Sequence, residues 1–114
     1  MTAPAPLRVG HAVLDVAGAV LRGPDADAPL PTQAVRLLAR LAAREGETVG
    51  TLDLVSSLYD TGFAPGRDGV RVMQNRAVAV RRALRRTGAG VVLHTVLNVG
   101  LRLEPAPDAA RRAA

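Results

Sequence analysis

The chain has 114 residues, enough for one compact domain and too few for two of ordinary size. Its composition, 48% hydrophobic and 22% charged with a net charge of +5, is typical of a globular protein and excludes an intrinsically disordered chain. The absence of cysteine excludes disulfides and thiolate metal sites, and the absence of any run of about 18 apolar residues excludes a transmembrane helix. Because the N-terminus also lacks a secretory signal pattern, we expect a single cytoplasmic domain.

The N-terminal third of the chain predicts short antiparallel strands. Residues 1–6 are a Pro/Ala-rich stretch that we expect to be flexible. Between Leu7 and Arg22, apolar residues alternate partly with others and place Leu7, Val9 and Val13 on one face, while glycines interrupt the run. This pattern predicts two or three strands, followed by the loop GPDADAPLP.

A helix is predicted over TQAVRLLARLAARE, with Thr32 as N-cap and Gly46 as the residue that ends it. Its apolar side chains share one helical face: Val35, Leu38, Leu41 and Ala42. A second, short helix is predicted in TLDLVSSLYDTG, capped by Thr51 and ended by Gly62. The residues expected on its buried face are Leu52, Val55 and Leu58 or Tyr59.

A third and longer helix is predicted from about Val70 to Arg86, after the polar loop DTGFAPGRDG. Its buried stripe is predicted to be Val70, Met73, Ala77, Val80 and Leu84. At 100° per residue, the opposite face gathers Arg71, Asn75, Val78, Arg82 and Arg86, with Ala79 among them and Gln74 and Arg81 at its sides.

Positive charge is concentrated around this third helix. From Gly69 to Leu103 there are seven arginines and no acidic residue, so this segment carries +7 while the rest of the chain sums to 5 − 7 = −2. Such an uneven distribution is typical of a protein that binds a polyanion. The alternative is a solvated face in an arginine-biased composition, since the chain has no lysine at all.

After glycines that end the third helix, VVLHTV and VGLRLE predict a β-hairpin that turns near Leu97 and Asn98. Residues 105–114 are expected to be a flexible tail, which leaves 7–104 as the domain. The order of elements predicts an α+β fold, a winged helix-turn-helix with an N-terminal antiparallel sheet, three helices and a C-terminal hairpin wing.

Three segments resemble the OmpR/PhoB-type output domain of bacterial response regulators, and the resemblance extends from about Leu7 to Glu104. LPTQAVRLLARLAAREGETVGTLDLVSSLYD is similar to that family's first two helices, RVMQNRAVAVRRAL to its recognition helix, and HTVLNVGLRL to its wing. The resemblance implies a DNA-binding transcription regulator whose third helix lies in the major groove. The family's receiver domain has no room in this chain, so control by phosphorylation is not expected.

The resemblance also implies roles for single residues. Arg71 and Arg81 match DNA-contacting arginines, Arg76 stands where histidine is common, and Thr95 matches a wing threonine that meets the DNA backbone. The hairpin pattern is kept by Gly100 and Arg102. Several positions depart from the family. Ala79 and Leu97 stand where arginines are frequent, Asn75 where an apolar residue is usual, and Tyr59 where tryptophan is usual. Asn98 stands where glycine is usual, a turn position that asparagine tolerates.

We therefore predict sequence-specific binding of double-stranded DNA. The predicted DNA-binding residues are Arg71, Gln74, Asn75, Arg76, Val78, Arg81, Arg82, Arg86, Thr95 and Asn98. Among them, Asn75 is suited to pair with adenine through its amide, and Val78 to meet a thymine methyl group.

The alternative function is a winged helix that binds a protein partner, with Phe63 and Leu97 as the contact residues. In the resembled family the loop between the second and third helices commonly touches RNA polymerase, and residues 60–68 would be that surface here. A homodimer on tandem half-sites is a further partner to expect.

Nothing in the chain indicates an enzyme, a metal site or a cofactor. His11 and His94 are far apart and lack cysteine or acidic companions at ligand spacing, which favours ordinary strand positions. Asp25 and Asp27 lie in a turn-like loop, where turn formation explains them. The segment GRDG lacks the spacing and the lysine of a phosphate-binding loop.

Overall fold

A computed structural model describes residues 6–58 and 68–106 of the chain. Tyr59, Gly62 and Phe63 lie outside these ranges. The helices and strands within them are β1 (Leu7–Val9), β2 (Ala12–Asp15), β3 (Val20–Arg22), β4 (Asp27–Pro29), α1 (Thr32–Ala42), β5 (Thr48–Gly50), α2 (Thr51–Ser57), α3 (Asp68–Thr87), β6 (Val91–Val96) and β7 (Gly100–Pro105). This order confirms the predicted α+β architecture with an N-terminal sheet, three helices and a C-terminal hairpin.

The first four strands form an antiparallel sheet in the order β1-β2-β3-β4. Strand β4 lies within the segment predicted as a loop, because its sequence, Asp-Ala-Pro, has little intrinsic preference for a strand. Pairing with β3 decides its conformation: Ala28 lies opposite Leu21, and Pro29 opposite Val20. Since β4 is an edge strand, Pro29 breaks no hydrogen bond between inner strands.

The predicted strand face was wrong at Val13. A tight turn joins β1 to β2 and pairs Arg8 with Val13, which places Val13 on the exposed side of the sheet beside Arg8. The alternation of buried and exposed side chains along β1 is therefore shifted by one residue in β2. The buried side instead carries Val9, Ala12 and Leu14.

Helix α1 buries the face that the sequence predicted. Val35, Leu38 and Leu41 are buried, while Ala42 is only half-buried. The predicted N-cap was wrong, because Pro31 is the N-cap and its carbonyl accepts the first helical hydrogen bond, from Val35 N–H at 3.0 Å. The helix also ends at Ala42, three residues earlier than predicted, and a turn follows.

Helix α2 differs from the prediction at both of its first two residues. Gly50 is the N-cap, and the hydroxyl of Thr51 donates a hydrogen bond to the Val99 carbonyl at 3.2 Å instead of capping the helix. Leu52 is 81% exposed, whereas Leu54 and Val55 are buried. In a helix of two turns the apolar spacing alone does not select one face, so packing decides which leucine is buried.

A bidentate ion pair holds α1 against α2. Arg40 donates from Nε and Nη2 to the two carboxylate oxygens of Asp53, at 3.0 and 2.9 Å. The hydrogen bond to Asp53 and its negative charge raise the pKa of Arg40 above its usual value. This pair lies at the surface, so its contribution to stability is small, and it serves mainly to orient the two helices.

The predicted hairpin is confirmed as β6 and β7, and the structure adds a third strand to it. Strand β5, which has three residues and directly precedes α2, pairs antiparallel with β7 and completes a sheet in the order β5-β7-β6. Strand β7 reaches Pro105, one residue into the predicted tail. We call the sheet formed by β5, β7 and β6 the wing sheet, and the turn at Leu97–Val99 the wing turn.

Helix α3 runs from Asp68 to Thr87, longer than predicted by two residues at its start and one at its end. Its buried side holds Met73, Ala77, Val80 and Leu84, as predicted, together with Ala83 and Thr87. Val70 was wrongly placed in that stripe: it is 39% exposed and lines a cleft between α3 and the wing turn.

The three helices pack on one another and carry a sheet at each side. The N-terminal sheet contacts α1 through β1, and α3 through β3 and β4, while the wing sheet contacts α3 through β6. The buried apolar side chains form one cluster, made of Leu, Val and Ala with a single Met. This core fixes α3 in position and leaves its outer face toward solvent.

Candidate nucleic-acid interface

The outer face of α3 exposes the residues that the helical wheel placed there. Arg71, Gln74, Asn75, Val78, Arg82 and Arg86 are all exposed. They follow one another along a 20-residue helix, which corresponds to about 30 Å of length. The predicted surface is therefore confirmed as a continuous exposed face, whereas contact of these residues with DNA stays a prediction.

The arginines of the basic segment divide into two groups by their surroundings. Four of them are exposed and form no hydrogen bond or ion pair with the described part of the chain: Arg71, Arg82, Arg85 and Arg86. The other three, Arg76, Arg81 and Arg102, are half-buried and bonded to neighbouring residues. Only the first group presents whole guanidinium groups to solvent.

Arg85 belongs to this exposed group and was missing from the predicted site. It lies near the end of α3, beside Arg86, and lines a groove between α3 and β6. The sequence did contain a signal, because Arg85 is one of the seven arginines of the basic segment. At 100° per residue Arg85 also falls between Val78 and Gln74, within the predicted face, so the helical wheel indicated it as well.

Arg76 is held by the first turn of α1. Its Nε donates to the side-chain oxygen of Gln33 at 2.9 Å, and both residues are half-buried. This bond links α1 to the middle of α3 and sets the direction of the Arg76 guanidinium. No pattern in the sequence indicated this pairing across 43 residues.

Arg81 is held by the wing on the opposite side of α3. Its Nε donates to the Leu93 carbonyl at 3.2 Å, and its Nη2 donates to the Thr95 hydroxyl oxygen at 2.8 Å. The two predicted DNA-binding residues Arg81 and Thr95 are thus brought into direct contact. Part of the hydrogen-bonding capacity of Arg81 is spent within the protein.

Arg102 lies on the wing sheet and forms an ion pair with Glu104. Glu104 also lies 3.1 Å from Nε2 of His94, measured from its other carboxylate oxygen. The single acidic residue of β7 therefore compensates the charge of Arg102, and we do not include Arg102 in the candidate interface.

The wing turn presents apolar side chains. Asn98 has φ +62°, the left-handed conformation that the sequence predicted it would tolerate, and Val99 N–H donates to the Val96 carbonyl at 2.9 Å to close the turn. Leu97 is 81% exposed and Val99 52%. With Val70 they line a cleft of about 300 Å³ between the wing turn and the first half of α3.

A second groove runs along the other side of α3. It is lined by residues 28–31, which run from β4 to the residue before α1, and by Ala79, Arg82, Ala83 and Arg86 of the helix. Because Ala79 has a short side chain, the groove stays open between the two arginines. Helix α3 is thus bordered by this groove on one side and, on the side of the wing sheet, by the cleft at the wing turn and the groove beside β6. Arginines line all three.

Among the described residues, no cluster of three or more His, Cys, Asp or Glu side chains is placed to bind a metal ion. Within the same ranges, no helix has both the length and the apolar character required to span a membrane.

Comparison with solved structures finds this fold in two DNA-binding domains from E. coli. That of CadC matches with a TM-score of 0.72 and 19% sequence identity, over 90% of this chain and 94% of that chain. That of CpxR matches with a TM-score of 0.67 and 19% identity, over 90% of this chain and 99% of that chain. Neither a protein-family model nor a curated protein sequence matches the chain. The likeness confirms the winged-helix fold that the resemblance to OmpR/PhoB-type domains implied.

Proposed function

We propose that the chain is a transcription regulator that binds double-stranded DNA in a sequence-specific manner, with α3 in the major groove. One observation carries the proposal: the outer face of α3 exposes four arginines, and no acidic residue lies between Gly69 and Leu103. An α-helix fits the width of the major groove, and a uniformly positive face lowers the cost of approaching phosphates. The two solved domains of the same fold are both described as DNA-binding.

The exposed residues of α3 sort into two roles. The arginines near the two ends of the helix bind phosphates: Arg71 at its start, and Arg82, Arg85 and Arg86 at its end. These contacts set position and affinity without reading the base sequence. Gln74, Asn75 and Val78 lie between them and meet base edges. Asn75 pairs with adenine N6 and N7, and Val78 contacts a thymine methyl group.

The salt dependence of binding tests this proposal. If four arginines each neutralise one phosphate, the logarithm of the association constant falls with the logarithm of salt concentration at a slope of about −3.6. The measurement is a titration of the full chain against a pool of genomic fragments at several salt concentrations, followed by recovery of the bound fragments. Failure to bind any fragment at low salt contradicts the proposal, and equal binding of all fragments contradicts its sequence-specific part.

Asn75 gives the test of base reading. We expect Asn75→Ala to lower the preference for one base position of the recovered site by about 1–3 kcal/mol and to leave the salt slope unchanged, because the amide contacts a base edge and not a phosphate. The check is a competition assay with sites that carry each single base change. Val13→Ala is the matched control, since Val13 is similarly exposed but lies on the N-terminal sheet. An equal loss of affinity for all sites would remove Asn75 from the base-reading residues.

A second candidate function is the binding of a protein partner. Three of the large apolar side chains that are exposed in the described ranges line the cleft between the wing turn and α3: Val70, Leu97 and Val99. A cluster of this kind is typical of interaction surfaces. A chain that binds no DNA at low salt favours this function over the first.

Two further partners stay predictions. Contact with RNA polymerase was predicted for residues 60–68, including Phe63, and most of this segment lies outside the described ranges. Homodimer formation on tandem half-sites predicts two occupied sites on each recovered fragment, which footprinting of the bound fragments measures directly. Both proposals assume the cytoplasmic location expected of a transcription regulator.

A further inference from the structure

We propose that Arg81 is a positioning residue of the DNA interface: it fixes the wing to α3 and orients the Thr95 hydroxyl, and it does not itself bind a phosphate. The inference rests on the proposed DNA-binding function and assigns to Arg81 a role different from the one that the resemblance implied.

Strand β6 is an edge strand of the wing sheet, so one side of it has no neighbouring strand. Arg81 lies along this side and donates from Nε to the Leu93 carbonyl at 3.2 Å. The bond satisfies a backbone group that a further strand would otherwise bind. It also ties the middle of β6 to the fourth turn of α3, so that the strand cannot move away from the helix without breaking this bond.

The second bond of Arg81 sets the direction of a hydroxyl group. Thr95 Oγ1 accepts a hydrogen bond from Arg81 Nη2 at 2.8 Å, so the Thr95 O–H has its own proton left to donate. Thr95 is exposed beside the positive face of α3. A hydroxyl that accepts a hydrogen bond from a charged donor and directs its own O–H toward solvent is suited to donate to a phosphodiester oxygen.

The wing turn is also attached to the start of α2. The Val99 carbonyl accepts from the Thr51 N–H at 3.0 Å and from the Thr51 hydroxyl at 3.2 Å. The wing turn is thereby held to the start of α2, while Arg81 holds β6 to α3. A wing fixed in this way loses less conformational entropy when it meets DNA.

The exposed arginines of α3 provide the comparison for Arg81. Arg82 follows Arg81 directly and is exposed, without a bond to any described residue. Arg81 is half-buried and spends two donor groups within the protein. Arg82 is therefore the matched control for a phosphate contact on the same turn of helix.

The test compares full-length Arg81→Ala, Arg81→Lys, Thr95→Val and Arg82→Ala in two measurements. In the free protein, amide hydrogen exchange of residues 93–99 becomes about tenfold faster in Arg81→Ala and is unchanged in Arg82→Ala. On DNA, Arg81→Ala weakens binding about tenfold without changing the salt slope, whereas Arg82→Ala reduces the slope by about 0.9. Arg81→Lys keeps the charge but loses the planar fork, and we expect it to behave like Arg81→Ala.

The effects of Arg81→Ala and Thr95→Val on DNA affinity should also be less than additive when combined, because both substitutions remove the same hydrogen bond between Arg81 and Thr95. The proposal is overturned if Arg81→Ala reduces the salt slope by about 0.9. It is also overturned if Arg81→Lys binds DNA normally and Arg81→Ala leaves amide exchange unchanged. If the unsubstituted chain does not bind DNA, both the proposed function and the role of Arg81 in DNA binding are overturned. In that case the exchange measurement still decides whether Arg81 fixes the wing.

Discussion

Replacing both Arg71 and Arg82 by alanine lowers the affinity of the chain for duplex DNA about 100-fold at constant salt concentration. Each guanidinium is exposed on the outer face of α3 and forms no bond with the described residues that would need to be broken. A hydrogen bond to a charged group contributes about 1.5 kcal/mol or more, which is roughly a tenfold effect for each arginine. The salt slope should fall in magnitude by about 1.8, since two phosphates keep their counterions.

The matched control for this pair is Arg8→Ala. Arg8 is exposed on β1, an edge strand of the N-terminal sheet, and its replacement removes a positive charge of the same kind. Affinity and slope should stay close to those of the unsubstituted chain. Thermal unfolding of all three proteins should be similar, because none of these side chains is part of the core. If Arg8→Ala weakens binding as much as either α3 substitution alone, net charge explains the binding and the assigned face of α3 is wrong.

Gly100→Ala is expected to destabilise the domain by about 1–3 kcal/mol, because a Cβ at this position would overlap the Val49 carbonyl oxygen. The Cβ would also lie 2.8 Å from the Val49 carbonyl carbon and 3.0 Å from the Gly50 Cα. All three atoms belong to the backbone of β5, which gives way only if β5 separates from β7. For a domain of this size, each kcal/mol corresponds to a decrease of roughly 4–8 °C in Tm.

The control for this substitution lies directly opposite in the sheet. Gly50 is paired with Gly100, yet a Cβ on Gly50 would have as its nearest neighbour the Val99 carbonyl oxygen, at 4.0 Å. We therefore expect Gly50→Ala to cost no more than about 1 kcal/mol, the preference for glycine over alanine at an N-cap, because no steric overlap adds to it. Calorimetry or denaturant unfolding distinguishes the two variants. Equal effects would mean that the loss of glycine itself matters, and not the contact between β5 and β7.

The long elements of the fold were predictable from the sequence because their apolar spacing extends over several turns. In α1 and α3 three or more apolar positions repeat at helical spacing, and a shift of the buried face would expose most of them. The hairpin of β6 and β7 was equally clear, since asparagine marks its turn. The short elements β4 and β5 were missed, because a strand of three residues has too few positions to show a pattern.

The predictions failed at single positions where the sequence was compatible with either of two buried faces. Leu52 and Leu54 both lie in the short helix α2, and only packing against α1 and α3 selects Leu54 for the core. Val70 continues the stripe of α3 but lies beside the wing turn, where it lines the cleft. Thr32 and Thr51 have the right chemistry for an N-cap, but the backbone enters each helix one residue earlier.

The sequence by itself determined the class of fold, the positive segment and the outer face of α3, because these depend on local periodicity and on charge along the chain. Tertiary structure alone decided how the arginines divide between solvent and the protein. Arg76 meets Gln33 and Arg81 meets Thr95 because α1 and the wing pack on either side of α3, across 43 and 14 residues of chain. The overlap that a Cβ on Gly100 would make with β5 has the same origin. A helical wheel contains the direction of each side chain but not the identity of what lies opposite.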